Sequence, residues 1–249
     1  MNLELHTAWM GRAWRALGEC ASTNDEAAAW ARAGAPAGAV VTAETQTRGR
    51  GRLGRAWHSP PGAALYFSTV LRPALPPMKA VPLTLAAGVA LAETAARFDV
   101  APSLKWPNDL LLDGKKAAGI LTESAVQGGR LEHVIVGIGV NLNVEQFPPE
   151  LAGIATSLHR ARGRVVDRAE LAAILCERLE VWYERFMAGS LADVVAAWKS
   201  FAPFFGKRVE VALGAERVAG LAEDLDEDGA LRLRTEQGIL RVMAGEVVG

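Results

Sequence analysis

Between Glu44 and Glu93 lie 48 residues without a single carboxylate, where the chain's average acidic content would put about five. Arg48, Arg50, Arg52, Arg55, Arg72 and Lys79 fall inside this window. Residues 45–92 therefore carry +6 and the rest of the chain −7, which sum to the formal charge of −1. Four of the cations occupy residues 48–55 and alternate with Gly49, Gly51 and Gly54. Glycine lets backbone approach a ligand closely and offers N–H groups to an anion, so the run suits a small anionic ligand; a solvated basic loop or an RGG-like nucleic-acid contact would have the same charge. The glycines also spell G-x-G-x-x-G. Yet Trp57-His58-Ser59-Pro60-Pro61-Gly62 cannot open the helix a dinucleotide site requires, and no acidic residue follows about 20 positions on.

A second cluster is Lys105-Trp106-Pro107-Asn108-Asp109, with Lys115-Lys116 just across an Asp113-Gly114 turn. The chain has only six lysines against 21 arginines, so an adjacent pair stands out. A hairpin here sets Asp109 and Lys116 on neighbouring strands. A carboxylate suited to Mg2+ and an ammonium suited to a phosphate or carboxylate then lie together; an exposed ion pair at a hairpin end is the plainer alternative. The third cluster is Gly137-Ile138-Gly139-Val140-Asn141-Leu142-Asn143. Glycines inside a strand imply a ligand or backbone pressing on it, or a bulge, and Asn141 and Asn143 are expected on one face.

The elements that must position these clusters follow from periodicity and turn chemistry. Thr23 and Glu26 have capping-box spacing ahead of Ala27-Ala28-Ala29-Trp30-Ala31, and Gly34 and Pro36 end that helix. Residues 40–43 and 65–70 read as strands, and 82–98 as a buried helix. From 104 to 143 short strand runs alternate with turns at Asp113-Gly114 and Gly128-Gly129, an antiparallel meander. Helices are expected at 167–187, capped by Asp167, and at 190–200. Beyond Pro203, strands at 207–212, 216–221, 230–235 and 239–243 are separated by Gly214, Asp226-Glu227-Asp228-Gly229 and Gln237-Gly238. Blocks of helix and strand favour an α+β fold: a central mixed or antiparallel sheet with helices on one face over residues 1–203, then a small all-β module at 204–249.

With 249 residues, 50% hydrophobic and 22% charged, the composition is that of a globular protein with an ample core. The near-zero charge argues against a chain that coats nucleic acid or an anionic membrane. Cys20 and Cys176 are too few and too distant for a disulfide framework or a zinc cluster; two buried free thiols and a reducing, cytoplasmic setting are expected. No apolar run is expected to approach a membrane span, and Met1 to Arg15 lack the apolar core of a signal peptide.

In this order and spacing the motifs resemble the biotin protein ligase family: Ser22-Thr23-Asn24, the stretch from Glu44 to Trp57, Lys105-Trp106-Pro107-Asn108-Asp109, Lys116-Ala117-Ala118-Gly119-Ile120-Leu121 and Gly137-Ile138-Gly139-Val140-Asn141. The resemblance implies a class II synthetase-like ligase domain followed by an SH3-like barrel. It also implies an ATP-dependent biotin–[biotin carboxyl carrier protein] ligase: biotin and MgATP give biotinyl-5′-AMP and pyrophosphate, and a lysine of the carrier of a biotin-dependent carboxylase then takes the biotinyl group. On the family pattern, biotin falls to Ser22, Thr23, Asn24, Gln46, Gly49, Arg50, Arg52, Lys116, Gly119, Leu121, Gly137 and Gly139. The nucleotide falls to Arg52, Arg55, Trp57, Asn108, Asp109, Lys116 and Asn141. Lys116, Arg50, Arg52 and Asp109 carry the catalytic roles, and Asp109 is the candidate Mg2+ ligand or the base for the acceptor lysine. Ser22 lies too near Met1 to leave room for the N-terminal helix-turn-helix of repressor members, so DNA repression is not expected, nor a membrane partner. A free sheet edge leaves a homodimer open. The rival readings are a lipoate or octanoate ligase of related fold, a nucleic-acid-binding protein using residues 48–55, and a catalytically dead regulator, which the presence of both Asp109 and Lys116 disfavours.

Overall fold

The structure is a computed structural model describing residues 4–226 and 228–248; Glu227 of the expected 226–229 turn lies outside the described residues, as do Met1 to Leu3 and Gly249. In chain order the elements are β1 (Trp14–Cys20), α1 (Thr23–Arg32), β2 (Val40–Gln46), β3 (Ala64–Leu71), α2 (Leu83–Ala96), β4 (Pro102–Lys105), β5 (Asp109–Leu112), β6 (Lys115–Gln127) and β7 (Arg130–Asn141). There follow α3 (Pro149–Ala152), α4 (Leu158–Arg162), α5 (Arg168–Met187), α6 (Leu191–Ser200), β8 (Arg208–Leu213), β9 (Glu216–Leu225), β10 (Leu231–Thr235), β11 (Gly238–Val242) and β12 (Glu246–Val248). Two sheets result, seven strands in the order β1-β2-β3-β7-β6-β5-β4 and five in the order β11-β10-β9-β8-β12.

The meander from β4 to β7 forms as the turn residues dictate. Asp113 and Gly114 both take positive φ (49° and 74°), as do Gly128 and Gly129 (56° and 77°), the conformation that two-residue hairpins need. The sheet is mixed because β1, which no β-branched run announces, pairs parallel to β2. Its outer position explains the silence of its sequence: an edge strand exposed at four of seven positions needs no apolar alternation. By contrast β3 is buried at all eight positions and reads as a continuous apolar strand.

Side chains alternate between two faces. Leu65, Phe67 and Leu71 of β3 and Val134, Val136, Ile138 and Val140 of β7 join α2, α5 and α6 in the main core. Val70 and Ile135 point the other way, onto Ala27 and Ala31 of α1. The expectation of helices on one face thus holds for α2, α5 and α6, while α1 covers one end of the opposite face and leaves the other end open. Together with the turn before it, α2 makes a 20-residue apolar stretch, Pro77–Ala96, long and apolar enough to cross a membrane by length and composition. This corrects the expectation that no run approaches that length; 72% of an 18-residue window within it is buried inside the protein, as befits a helix that is apolar all round.

The capping box does not form. Ser22 is the N-cap and makes no side-chain cap bond, while Thr23 is the first helical residue. Instead Gln46 Oε1, at the end of β2, accepts from Thr23 N (2.8 Å) and Thr23 Oγ1 (3.1 Å), so a neighbouring strand serves the N–H group that a cap would serve. Asp167 caps α5 as expected, accepting from Ala169 N at 2.7 Å. The five-stranded sheet packs its core residues Val211, Ala222, Leu231 and Leu233 into the main core. Trp106, 1% exposed, donates its indole N–H to Gly229 O at 3.1 Å and ties the two sheets; truncating so buried an indole costs about 3–5 kcal/mol. Four of the five strands were expected, and β12 was not. Of the thiols, Cys176 is buried, but Cys20 is only half-buried at the end of β1.

Candidate active site

At the open end of the α1 face lies a cleft of about 500 Å³, a size usual for small-molecule sites. Its floor is glycine. In the ladder Gly139 stands between Gly119 and Tyr66, and Gly137 between Leu121 and Ser68, all in regular register; the β6–β7 irregularity falls at Ala125/Val126 instead, which removes the bulge reading for 137–139. The flat strip has two occupants from the chain itself. A Cβ on Gly139 would come within 2.6 Å of the Trp57 ring and one on Gly119 within 3.1 Å, so the indole rests on the floor. A Cβ on Gly137 would fall within the Asn24 amide, 2.8 Å from its Cγ.

The polar end of the cleft is built on the start of α1. Asn24 and Thr23 are buried, Ser68 Oγ donates to Asn24 Oδ1 (2.7 Å) and lies 2.8 Å from Thr23 Oγ1, and Asn24 Nδ2 donates to Leu121 O (3.2 Å). Ser22 and Gln46 line the same end. In the middle, β5 and β6 bring Lys116 Nζ to 2.6 Å from Asp109 Oδ1. The pair is no exposed surface contact: Asp109 is buried, and its Oδ1 is buried without a well-directed hydrogen bond. Lys116 Nζ also stands 5.5 Å from the Trp57 ring centroid, within cation–π range. Trp57 lines the cleft with its Nε1 buried against Gly139, a donor with no acceptor among the described residues. At the far end Phe147, Leu151 and Ile154 form an apolar shelf, and Asn141 donates to Thr156 O (3.0 Å), holding the segment that carries it.

The Gly/Arg stretch folds as a hairpin over this cleft. Trp57 N donates to Gly49 O (2.9 Å), Gly51 N donates to Arg55 O (2.7 Å), and Arg52–Gly54 makes a single 3-10 turn, so no dinucleotide-binding helix opens here. The +6 counted over residues 45–92 does not survive as an unpaired positive field. Arg50 is paired with Asp25 (2.8 Å) and Glu123 (3.2 Å), and Arg55 with Glu246 (2.7 Å), because the fold brings in carboxylates from outside the window. Arg52 is different: it has only the neutral acceptors Asn108 Oδ1 (3.3 Å) and Gly245 O (3.2 Å), and burial holds its guanidinium below the ordinary value against the opposing pull of Asp109 and Glu246. Among the described residues, the cation left lining the cleft with no carboxylate of its own is therefore Arg52.

Among the residues assigned from sequence, all line this cleft except Gly49, which packs beneath Ser59 Oγ and Trp57 O, where a Cβ would come within 2.8 and 3.0 Å. Asn143 also departs: β7 ends at Asn141, and the Asn143 amide instead exchanges two 2.9 Å bonds with the Val166 backbone. The sequence reading missed Tyr66, the apolar shelf and Glu246. Glu246, on β12, bridges Arg55 and Lys105 (3.2 Å) from the second sheet. Burial alone would raise its carboxyl, but those two cations hold it below the ordinary value of 4.5.

Comparison with known proteins agrees with this geometry. Residues 17–141 match the model of the biotin/lipoate A/B protein ligase family, and residues 204–248 that of the biotin protein ligase C-terminal domain. The chain is 38% identical to the bifunctional ligase/repressor BirA of Bacillus subtilis, over 91% of this chain and 70% of that protein. It is 37% identical to the biotin–[acetyl-CoA-carboxylase] ligase of Mycobacterium tuberculosis, over 96% and 90%. The biotin protein ligase of Aquifex aeolicus, solved in complex with biotin and ATP, superposes with a TM-score of 0.81 at 30% identity, covering 95% of this chain and 98% of that one. By sequence and by structure, the chain belongs to the biotin protein ligase family.

Proposed function

We propose that the cleft activates biotin with MgATP to biotinyl-5′-AMP and passes the biotinyl group to a lysine of a biotin carboxyl carrier protein. The observation that carries this reading is the Lys116–Asp109 pair, 2.6 Å apart between a hydrogen-bonding end and an apolar shelf in one cleft. Biotin's ureido ring needs neutral donors and acceptors, which Ser22, Thr23, Asn24 and Gln46 supply; the purine lies toward Phe147, Leu151 and Ile154. The biotin carboxylate then meets the α-phosphorus over Lys116.

Two anions meet in that step, so its barrier is electrostatic before it is covalent. Lys116 and Arg52 are placed to neutralise the carboxylate and the phosphate oxygens. The carboxylate oxygen forms the bond to phosphorus while the bond to the bridging oxygen of pyrophosphate breaks, and the carrier lysine later displaces AMP from the mixed anhydride. Asp109, close to Lys116, is the group that accepts the proton of that lysine. The hairpin carrying Trp57 excludes water from the anhydride.

The donor set fits Mg2+ held together with substrate phosphates. Among the described residues no three His, Cys, Asp or Glu side chains converge, so there is no all-protein cage; the buried Asp109 carboxylate, paired through Oδ1 with Lys116 and set beside Asn108, is the kind of single carboxylate that a phosphate-bound Mg2+ uses. Asp109 and Asn108 would hold the ion, whose charge would lessen the repulsion between carboxylate and phosphate. The neutralisation of Arg50 and Arg55 by Asp25, Glu123 and Glu246 supports a small anion over a nucleic acid as the ligand of this hairpin. The catalytic unit is placed at 1–203 and the five-stranded accessory unit at 204–249.

Incubation with biotin, MgATP and a biotin carrier domain, read by intact mass, tests the reading. One added biotinyl group is expected, with none from lipoate or octanoate. An unmodified carrier, or one acylated by lipoate instead, overturns it. Lys116→Ala should lower pyrophosphate release by about 100-fold or more while leaving Tm within a few degrees, since its role is electrostatic.

A further inference from the structure

Arg50 is held in a way that catalysis does not require. Its Nη1 and Nη2 donate in parallel to the two carboxylate oxygens of Asp25 at 2.8 Å each, and Nη2 also reaches both oxygens of Glu123 at 3.2 and 3.3 Å. One guanidinium faces two carboxylates, so it has no net positive charge left to offer a phosphate. Glu123 is shared, since its Oε2 also accepts from Asn24 Nδ2 at 2.6 Å. Asp25 lies in the first turn of α1, Glu123 on β6, and Arg50 at the root of the hairpin, where it bridges to Ala56 beside Trp57. The Arg50 hydrogen bonds hold the Asp25 carboxyl below its ordinary value against the effect of burial.

We infer that Asp25 and Glu123 are positioning residues that latch the root of the 49–57 hairpin through Arg50, and that the strength of this latch sets how long biotinyl-5′-AMP is retained. The inference rests on the proposed ligase reading for the identity of the ligand. Its geometry has three consequences. The latch anchors the hairpin to the same α1 turn and β6 strand that frame the polar end of the cleft, so occupancy there and hairpin closure are coupled through Asn24 and Glu123. Asp25 touches no reacting atom, so losing it frees the hairpin without removing a group from the chemistry. The three side chains are 37–46% exposed, so each contact is individually modest and the latch is built to open.

The test uses the full chain and Asp25→Asn, with Asp25→Glu as the conservative variant. Adenylate is formed in place and its escape is followed by rapid filtration; hydrogen exchange over residues 48–57 is measured without any ligand. Asp25→Asn should release adenylate roughly threefold to fivefold faster, the upper part of the scale set by exposed ion pairs, with the rate of pyrophosphate formation within twofold of the parent and Tm unchanged. Exchange at 48–57 should rise in parallel, and Asp25→Glu should restore much of both. Glu123→Gln should give a similar release rate, and the double variant should show less than the product of the two effects, because both act through Arg50. Unchanged release and exchange in Asp25→Asn would overturn the latch while leaving the ligase reading intact. A parent protein that makes no adenylate would overturn the ligase reading, and the exchange measurement would still decide whether the latch exists.

Discussion

The glycines of the sheet and the glycines of the hairpin are the same residue used for opposite reasons. On β6 and β7, Gly119, Gly137 and Gly139 are sites of missing volume: their backbone is ordinary, but a methyl group would collide with Asn24 at Gly137 and with Trp57 at Gly139, and would crowd Trp57 at Gly119. In the hairpin, Gly54 has φ of +73° with nothing near its absent Cβ, so it is there for backbone conformation, and Gly51 has only an ordinary contact waiting at 3.6 Å. Gly49, although in the Gly/Arg run and off the cleft, is likewise a site of missing volume, closed by Ser59 Oγ and Trp57 O. The floor therefore fixes where occupants sit, while the hairpin determines whether they are covered.

The sharpest way to break this distinction is to add one methyl to the floor. Gly137→Ala should have the largest effect, because Asn24 is buried with its amide bonded to Ser68, Leu121 and Glu123 and cannot retreat without leaving polar groups unpaired. A loss of about 1–3 kcal/mol in stability is expected in urea titration, with biotin binding falling along with it. Gly139→Ala should divide differently. The displaced group is Trp57, which rides on the hairpin, so Tm should stay within a few degrees while adenylate formation drops about 100-fold, as expected for a misplaced wall of the site. If both variants lose stability equally, Trp57 is a core residue and the hairpin is not a cover.

Much of the floor and the reacting pair was legible in the sequence because each lies within one short motif or one hairpin. Asp109 and Lys116 are neighbours through a turn whose chemistry is local, and the glycines of 137–139 announced something pressing on the strand. What pressed was illegible: Trp57 and Asn24 reach the floor through long-range packing that no spacing encodes. Thr23 misled for a related reason, since its local capping pattern lost to Gln46, a partner 23 residues on. The carboxylates that neutralise the hairpin, Asp25, Glu123 and Glu246, lie outside the carboxylate-free window, so net charge by window could not show that its positive charge is paired in three dimensions. β12 is three residues long, too short for an alternating pattern to mark it, though it supplies Glu246.

Glu246 tests whether the second sheet belongs with the floor or with the cover. Glu246→Gln should weaken the Arg55 and Lys105 contacts, worth about 1 kcal/mol together as partly exposed pairs, and speed adenylate escape a few-fold without changing biotin affinity. Because the folded-state pKa of Glu246 lies below its ordinary 4.5, its contribution is fully present above that value and is lost as pH falls through the lower, folded value. The stability gap between parent and variant should thus be constant at neutral pH and close in the acid range below 4.5. A gap that instead widens on acidification would mean that the carboxyl is held protonated, and the clamp would fail as an ion pair.

The smallest expected effect is the most discriminating. Gly51 has φ of −110° and ψ of −175°, a conformation any residue adopts, and its nearest Cβ neighbour would be Arg55 O at 3.6 Å. Gly51→Ala is therefore free of strain and removes conformational freedom only from the open hairpin, favouring the ordered one by about 0.4–1 kcal/mol. Adenylate retention, measured as for the latch variants, should be unchanged or up to a few-fold longer. A large loss of activity would mean that ligand backs directly onto Gly51 in the closed state. The hairpin glycine would then be a site of missing volume like those of the floor, and the division between positioning and covering would have to be redrawn with the hairpin on the positioning side.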